Sequence, residues 1–182
     1  MKKILAIAAM AVLTLTASAQ KIGRVNFSEI VMLAPEMDAA REVINASQKE
    51  AEATYSDMIE EYQSKANQYQ QKQATWTAAI RESKERELME IQNRIQEFQQ
   101  TISNELQQQQ NQLMAPIQEK AQKAVQDLAK AQGIIAVFDS GAALYFDENA
   151  VVDLTPAVRK AMGIPEGRTL EQLQEEMMAA AQ

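Results

Sequence analysis

Residues Glu36 to Ala115, nearly half of the 182-residue chain, contain neither glycine nor proline. The stretch is rich in Ala, Gln, Glu, Lys and Arg, and its apolar residues recur at helical spacing. A run of this length without a helix breaker favours long helices, because glycine and proline are the strongest punctuators of local structure. Pro35 and Pro116 bound the stretch. The rest of the chain is therefore expected to be organised around these helices.

The first half of this stretch has the pattern of a coiled-coil seam. Two series of residues, each seven apart, alternate by three and four positions. The series are Met37, Ile44, Ala51 and Met58, and Tyr55, Tyr62, Tyr69 and Trp76. The aromatic residues either fill the seam or face outward as an apolar surface for a binding partner. The candidate contact residues for such a partner are Tyr55, Met58, Tyr62, Tyr69 and Trp76.

The second half follows an eleven-residue repeat, which relaxes a left-handed supercoil and predicts a nearly straight pair of helices. The run Gln107 to Gln110 places amides where a seam would want aliphatic residues, so we expect loose pairing. A break is predicted between Ala74 and Ala79, with Thr77 capping the next helix. A reversal there makes residues whose numbers add to about 153 face one another. One continuous rod is the alternative.

The flanking segments predict a small body of short strands and helices. The predicted elements are a strand over Lys21 to Phe27, a helix capped by Ser28 over Glu29 to Leu33, a strand over Ile134 to Phe138 that forms a hairpin with Ala142 to Phe146, a strand over Val151 to Leu154, and a helix capped by Thr155 that ends at Met162. These strands are too short for an independent sheet, so several copies are expected to share one.

Two groups of body residues follow from this interpretation. The helical stretch 36–115 forms an arm, and Pro35 and Pro116 lie where its two helices would leave the body. Pro116 also removes a helical hydrogen bond, so both prolines are candidate hinges. The candidate oligomerisation core is apolar and comes from the predicted strands. It consists of Val25, Phe27, Ile135, Val137, Phe138, Leu144 and Phe146.

The two ends of the chain have different roles. Residues 1–19 have a basic head, an apolar run too short to span a bilayer and an Ala-x-Ala site, which predicts a cleavable signal peptide and export to the periplasm. The resulting division is a signal peptide at 1–19, a discontinuous body at 20–35 and 116–163, an arm at 36–115 and a tail at 164–182. Thr169 and Gln172 predict a capping box in that tail.

Composition excludes several classes of function. The chain has 25 acidic and 18 basic residues, and loss of the signal peptide leaves a net charge of about −9, which argues against nucleic-acid binding. It has no histidine and no cysteine, which disfavours an enzyme or a thiolate metal site. Four acids, Asp139, Asp147, Glu148 and Asp153, sit where turns and caps want them. No catalytic, cofactor or metal residue is therefore predicted.

The order of these segments resembles the Skp (OmpH) family of periplasmic chaperones. The resemblance rests on KIGRVNFSEI near the start and on GIIAVFDSGAALYF and VVDLTPAVRKAM after the arm. It implies an α+β fold, with a small β-rich trimerisation body and a long antiparallel coiled-coil hairpin as a tentacle arm. It also implies a homotrimer that holds unfolded outer-membrane β-barrel proteins without ATP. The chain has no glycine-rich phosphate loop, in agreement with that last point.

The net charge departs from the family pattern. The best-known members are basic, whereas this chain is acidic, which argues against lipopolysaccharide binding and against strong electrostatic capture of acidic clients. The favoured hypothesis is a holdase whose weak contacts act together through multivalency. The alternative is a structural spacer of the cell envelope that binds a folded partner through its arm tips.

Overall fold

The computed structural model describes residues 21–180, in which three short strands and five α-helices follow one another. In chain order they are β1 (Lys21–Val25), α1 (Phe27–Leu33), α2 (Pro35–Lys72), α3 (Ala78–Gln132), β2 (Ile134–Asp139), β3 (Val151–Asp153), α4 (Thr155–Ala161) and α5 (Leu170–Ala180). The α+β class with a long helical hairpin is confirmed. The predicted signal peptide, residues 1–19, lies outside the described residues.

The described chain forms two compact units. Residues 34–119 make up the first, which we call the arm, and it contains α2 and most of α3. Residues 21–33 and 120–180 make up the second, which we call the body, and it contains all three strands. The sequence borders between the units fall close to Pro35 and Pro116.

The arm turns back on itself where the sequence predicted a break. A 3-10 turn, Gln73–Thr75, ends α2, and α3 begins at Ala78. The Thr77 hydroxyl accepts a hydrogen bond from the Ile80 amide at 3.4 Å, as predicted for its cap. Pairs of residues that meet across the two helices have numbers adding to about 153, which excludes the continuous rod.

The sheet of the body has the order β2-β1-β3, and β1 runs parallel to both neighbours. Gly23 lies opposite Val137 on one side and Val152 on the other. A Cβ at Gly23 would come within 3.3 Å of Ile134 and 3.4 Å of Leu154. The missing side chain therefore lets these two apolar residues close over the central strand.

The predicted hairpin between β2 and Ala142 to Phe146 is wrong. A tight turn does follow Asp139, whose carbonyl accepts a hydrogen bond from the Ala142 amide at 3.1 Å. Residues 142–146, however, do not form a strand. Phe146 instead returns to pack its ring on Phe138, with 5.5 Å between the ring centroids. The apolar pattern indicated that the two segments lie close together. It could not show whether they pair through their backbones or only through their aromatic rings.

The core of the body is formed mainly by residues of α1 and α4 and by the residues that follow β3 and α4. Its five largest fully buried side chains are Ile30, Leu33, Leu154, Val158 and Met162. Three of them come from the short helices α1 and α4, Leu154 follows β3, and Met162 follows the end of α4. Burial of a side chain of this size contributes roughly 1.5–3 kcal/mol, which is how so small a sheet is stabilised.

Two helix caps differ from those predicted. Helix α1 begins one residue before Ser28, and Asn26 is its capping residue: its Oδ1 accepts from the Glu29 amide at 3.2 Å, and its Nδ2 donates to Glu29 Oε2 at 3.0 Å. Thr155 does not cap α4. Its hydroxyl accepts from the Asn26 amide at 3.1 Å, so it joins the starts of two helices distant in sequence.

The C-terminal segment is part of the body. Thr169 and Gln172 form the predicted capping box, each backbone amide donating to the other side chain at 3.2 Å. Helix α5 contacts α1, and Leu173 is buried with 4% exposure. The sequence left open whether this tail packs or stays mobile, and the structure places it against the body.

Candidate functional site

The outer part of the arm is joined by polar pairs between α2 and α3. Tyr62 accepts a hydrogen bond from Gln92 at 2.7 Å, and Arg94 forms an ion pair with Glu61 at 2.8 Å. Further pairs join Lys65 with Glu87, and Tyr69 with Glu85. These contacts run in opposite directions along the two helices, so the pair is antiparallel. Polar side-chain pairs therefore join the two helices in this region, where Ile91 is also buried with 2% exposure.

Glu87 is the most strongly perturbed acid of the arm. Hydrogen bonds from Lys65 and Lys84 lower the pKa of its carboxyl from 4.5 to about 2. Lys84 lies on the same helix, with its Nζ 2.7 Å from Glu87 Oε2, whereas Lys65 reaches across from α2. The same contact raises the pKa of Lys65. Glu87 is therefore a charged link between the two helices.

The tip of the arm holds an aromatic contact. Tyr69 and Trp76 meet edge to face, with ring centroids 5.9 Å apart and planes at 64°. The Tyr69 hydroxyl donates to Glu85, and this hydrogen bond raises the pKa of the phenol. Trp76 is half-buried and is the one tryptophan in the sequence. Its fluorescence is thus a reporter of the arm tip.

The middle of the arm has a different construction. Here α2 carries small residues, Ser47, Ala51 and Thr54, and the facing part of α3 carries Phe98, Ile102 and Leu106. Short side chains on one helix cannot cover long ones on the other. Two open grooves result, one on each side of the helix pair, with volumes of about 520 Å³ and 590 Å³.

The two mid-arm grooves share an apolar floor and differ in their rims. Ala51, Phe98, Ile102 and Leu106 line both. The first, which we call the glutamine groove, adds Glu50, Glu105, Gln108, Gln109 and Gln112. The second, which we call the Tyr55 groove, adds Gln48, Glu52, Tyr55, Gln99 and Ser103. Among the residues that the structure describes, no lysine or arginine lines either groove.

The five predicted contact residues are all half-buried along the arm. Tyr62 and Tyr69 direct their hydroxyls to partners on α3, and Trp76 packs on Tyr69. Tyr55 lines one of the grooves, and Met58 lies one helical turn beyond it. The aromatic row therefore does not share one setting: its outer members contact the second helix, and Tyr55 borders open space.

The apolar spacing along the second helix includes Phe98, Ile102 and Leu106, but this spacing alone did not show that the three residues are partly uncovered. The signal was present in the expected pairing. With numbers adding to about 153, Ile102 faces Ala51 and Leu106 faces Ser47. A large residue opposite a small one leaves a gap unless the helices approach closely, and an inspection of facing sizes would have predicted the grooves.

The predicted oligomerisation residues occupy several environments in the body. Ile135 is 61% exposed and Leu144 is fully exposed. Val137, Phe138, Phe146 and Phe27 are half-buried, whereas Val25 is buried within this chain. The Arg24 guanidinium lies 5.0 Å from the centroid of the Phe146 ring. The two exposed members of the predicted set thus lie on β2 and in the loop that follows it.

The acids of the body serve its turns. Asp139 Oδ1 accepts from the Gly141 amide at 3.0 Å, and Asp147 and Asp153 each accept from an amide two residues on at 2.9 Å. Asp153 also pairs with Arg24 at 2.8 Å. Within residues 21–180, no group of three or more acidic side chains is arranged to hold a metal ion.

An open cavity of about 1150 Å³ lies in the body beside these turns. Two ion pairs lie in its lining, Arg24 with Asp153 and Arg159 with Glu29. Arg159 also donates to the Arg168 carbonyl of the tail. These contacts give the cavity a structural role in joining α1, α4 and the tail.

The fold defines a protein of two units, a helical-hairpin arm with a thinly filled seam and a small body with a three-stranded sheet. Within the described part of the chain, none of the helices has the length and apolar character needed to cross a membrane.

The family model described as outer membrane protein (OmpH-like) matches residues 21–162. The chain therefore belongs to the OmpH-like family, as its resemblance implied. No curated protein matches it. Family membership supports a periplasmic chaperone kind of function directed at outer-membrane proteins. The match ends at Met162, so the docked tail lies beyond it.

Proposed function

We propose that this protein is an ATP-independent holdase that binds unfolded outer-membrane β-barrel chains in the periplasm. The observation that carries the proposal is the incompletely covered apolar surface of the arm. Tyr55, Phe98 and Ile102 are half-buried in open grooves, where an unfolded chain gains contacts without unfolding the arm. Weak, adaptable contacts of this kind suit clients of varied sequence.

Several arms acting on one client would supply the affinity. We propose a homotrimer assembled through the body, with Ile135 and Leu144 at its interface. Their exposure in the single chain supports this, because large exposed apolar residues mark sites of association, and Ile135 lies on an edge strand of the sheet. Linkage of three arms raises the effective concentration of every further contact with the same client.

Pro35 and Pro116 are the proposed hinges of each arm. Pro35 occupies the first turn of α2, where no helical hydrogen bond is lost, and Pro116 lies inside α3. The residue before each is alanine, and the borders between the two units fall nearby. Bending at these points would adapt the space between arms to clients of different size.

Aggregation of a client on dilution from urea tests the proposal. An unfolded outer-membrane β-barrel protein is diluted into buffer with the mature chain, and light scattering is followed. We expect suppression at about one trimer per client, without added nucleotide. Unchanged scattering, together with tight binding of one folded envelope protein, would replace the holdase with a spacer function. Mass in solution, with and without client, measures the oligomeric state.

A further inference from the structure

The mid-arm grooves offer more than apolar contact, because the charged residues on their rims are all acidic. Glu50 and Glu105 border the glutamine groove, and Glu52 borders the Tyr55 groove. No lysine or arginine in the lining of either groove opposes these three carboxylates. At neutral pH each groove therefore has an apolar floor and a negatively charged rim.

The remaining rim residues are mostly amides. Gln108, Gln109 and Gln112 line one groove, and Gln48 and Gln99 line the other. A glutamine side chain both donates and accepts hydrogen bonds, so it can pair with either polar group of a peptide backbone. An extended chain has a free N–H and C=O at each residue, and these amides match that need without selecting a side chain.

We infer that the two mid-arm grooves are binding sites for extended segments in which apolar side chains alternate with lysine or arginine. Successive side chains of an extended segment point to opposite sides. The apolar ones contact Phe98, Ile102 and Leu106, and the basic ones lie toward the glutamates of the rim. Because the rims are acidic, the grooves should prefer cationic segments. This inference rests on the proposed holdase function and names the client segments that the arm selects.

The geometry of the grooves explains why they remain open. Ala51 lines both of them and faces Ile102, so one small residue leaves space on each side of the helix pair. A leucine at this position would fill that space from α2. Substitution Ala51→Leu is therefore a direct test of the grooves, and it should strengthen the arm while removing the site.

The first experiment compares two labelled peptides by fluorescence anisotropy with the full mature protein. They share the same alternating apolar residues, and their polar positions are all lysine in one and all glutamate in the other. We expect the lysine peptide to bind about tenfold more tightly at low salt. The preference should fall as salt is added, because exposed charges are screened within about 10 Å at 0.1 M.

The second experiment locates the preference with matched triple variants. In Glu50→Gln/Glu52→Gln/Glu105→Gln the two peptides should bind within about twofold of each other. The control Glu60→Gln/Glu90→Gln/Glu97→Gln removes the same charge from exposed arm positions outside both groove linings, and it should keep the preference. Equal loss of the preference in both triples would overturn the inference, since a diffuse field would then be responsible.

The third experiment tests the floor. Ala51→Leu should weaken both peptides at least tenfold while arm helicity is kept, and unchanged affinity would refute the groove as the site. The chain has no cysteine, so Ser103→Cys provides a unique label in the Tyr55 groove, with Gln100→Cys as the exposed control. Only the groove label should respond to the lysine peptide.

These results separate the inference from the function on which it rests. Suppression of client aggregation without a lysine preference overturns the inference and leaves the holdase in place. Failure of the wild-type protein to suppress aggregation removes the holdase, and the grooves then lose their proposed role.

Discussion

At the scale of single residues, Glu87 shows how the two helices of the arm are joined. Its side chain is 32% exposed and receives hydrogen bonds from a lysine on each helix. A partly exposed ion pair contributes little by itself, because water and salt screen it. The contact with Lys65 nevertheless joins α2 to α3 in the outer arm, so its contribution bears directly on the pairing of the two helices there.

This arrangement predicts a pH dependence of arm stability. The pKa of Glu87 is about 2 when folded and 4.5 ordinarily, so its contribution is present above pH 4.5 and is lost as the pH falls toward 2. Glu87→Gln should lower the melting temperature by about 1–3 °C at pH 7, with the difference vanishing near pH 2. Circular dichroism and Trp76 fluorescence measure it.

The matched control for this prediction is Glu82→Gln. Glu82 forms an exposed pair with Arg86 on the same helix and does not cross the arm in that contact. It should leave Trp76 fluorescence unchanged across the same pH range. A Glu87→Gln variant whose melting temperature follows that of the wild type at every pH would refute the role of Glu87.

Residue-scale predictions from the sequence succeeded where the signal was local. Thr77 and the Thr169–Gln172 box cap helices as predicted, because capping depends on residues within three positions. Ser28 and Thr155 were assigned by the same rule and were wrong. Asn26 was available two residues earlier, and the Thr155 hydroxyl accepts a hydrogen bond from a residue 129 positions away. Local rules cannot detect such a distant competitor.

At the scale of elements, the tail helix α5 shows how a segment beyond the family match joins the body. Leu173 is buried, whereas Met177, one helical turn later, is 54% exposed. Arg159 connects the same region by pairing with Glu29 and donating to the Arg168 carbonyl. The segment that contains α5 is therefore joined to the rest of the body by the buried Leu173 and, just before the helix, by Arg159.

Leu173→Ala tests this anchor. Loss of a buried leucine side chain costs about 2–5 kcal/mol, so the body should melt at a clearly lower temperature. Met177→Ala is the control on the same helix, and it should change the melting temperature little. Calorimetry distinguishes the body transition from that of the arm. Equal effects of the two substitutions would show that α5 is not docked in solution.

Pro116 interrupts the hydrogen bonding of the long helix α3. Its ring removes the hydrogen bond that a residue at this position would donate to the Gln112 carbonyl. Pro116→Ala should restore that bond and slow amide hydrogen exchange in residues 112–120. Pro156→Ala is the control, since a proline in the first turn of α4 costs no helical bond. Unchanged exchange in the Pro116 variant would count against the hinge.

The sequence predicted elements better than their pairing. Long helices, the break near Trp76 and the strand after Gly133 follow from periodicity and glycine placement, and all are present. The order β2-β1-β3 was not predicted, because both partners of β1 are more than 100 residues away in the chain. To predict the mid-arm grooves, one must compare the sizes of residues that face one another across the two helices. The pattern along one helix does not show which residues face each other.

At the scale of the whole molecule, the proposed function depends on the number of arms that act together. Each groove is expected to offer only a weak contact, because it is open to solvent on the surface of the arm. A client bound by three linked arms dissociates only when all contacts are lost together. Assembly through the body is therefore expected to be as important for holding a client as the arm surface itself.

Charged substitutions at the proposed interface test this dependence. Ile135 and Leu144 are exposed in the single chain, so Ile135→Asp/Leu144→Asp should leave the fold intact while dissociating the trimer. Sedimentation should give the monomer mass, and client affinity should fall roughly 100-fold through loss of multivalency. Met178→Asp is the control, because Met178 has nearly the same exposure, 60% against 61% for Ile135, on a different element. A dissociated protein that suppresses aggregation as well as the trimer would show that one arm suffices, and an undissociated one would place the interface elsewhere on the body.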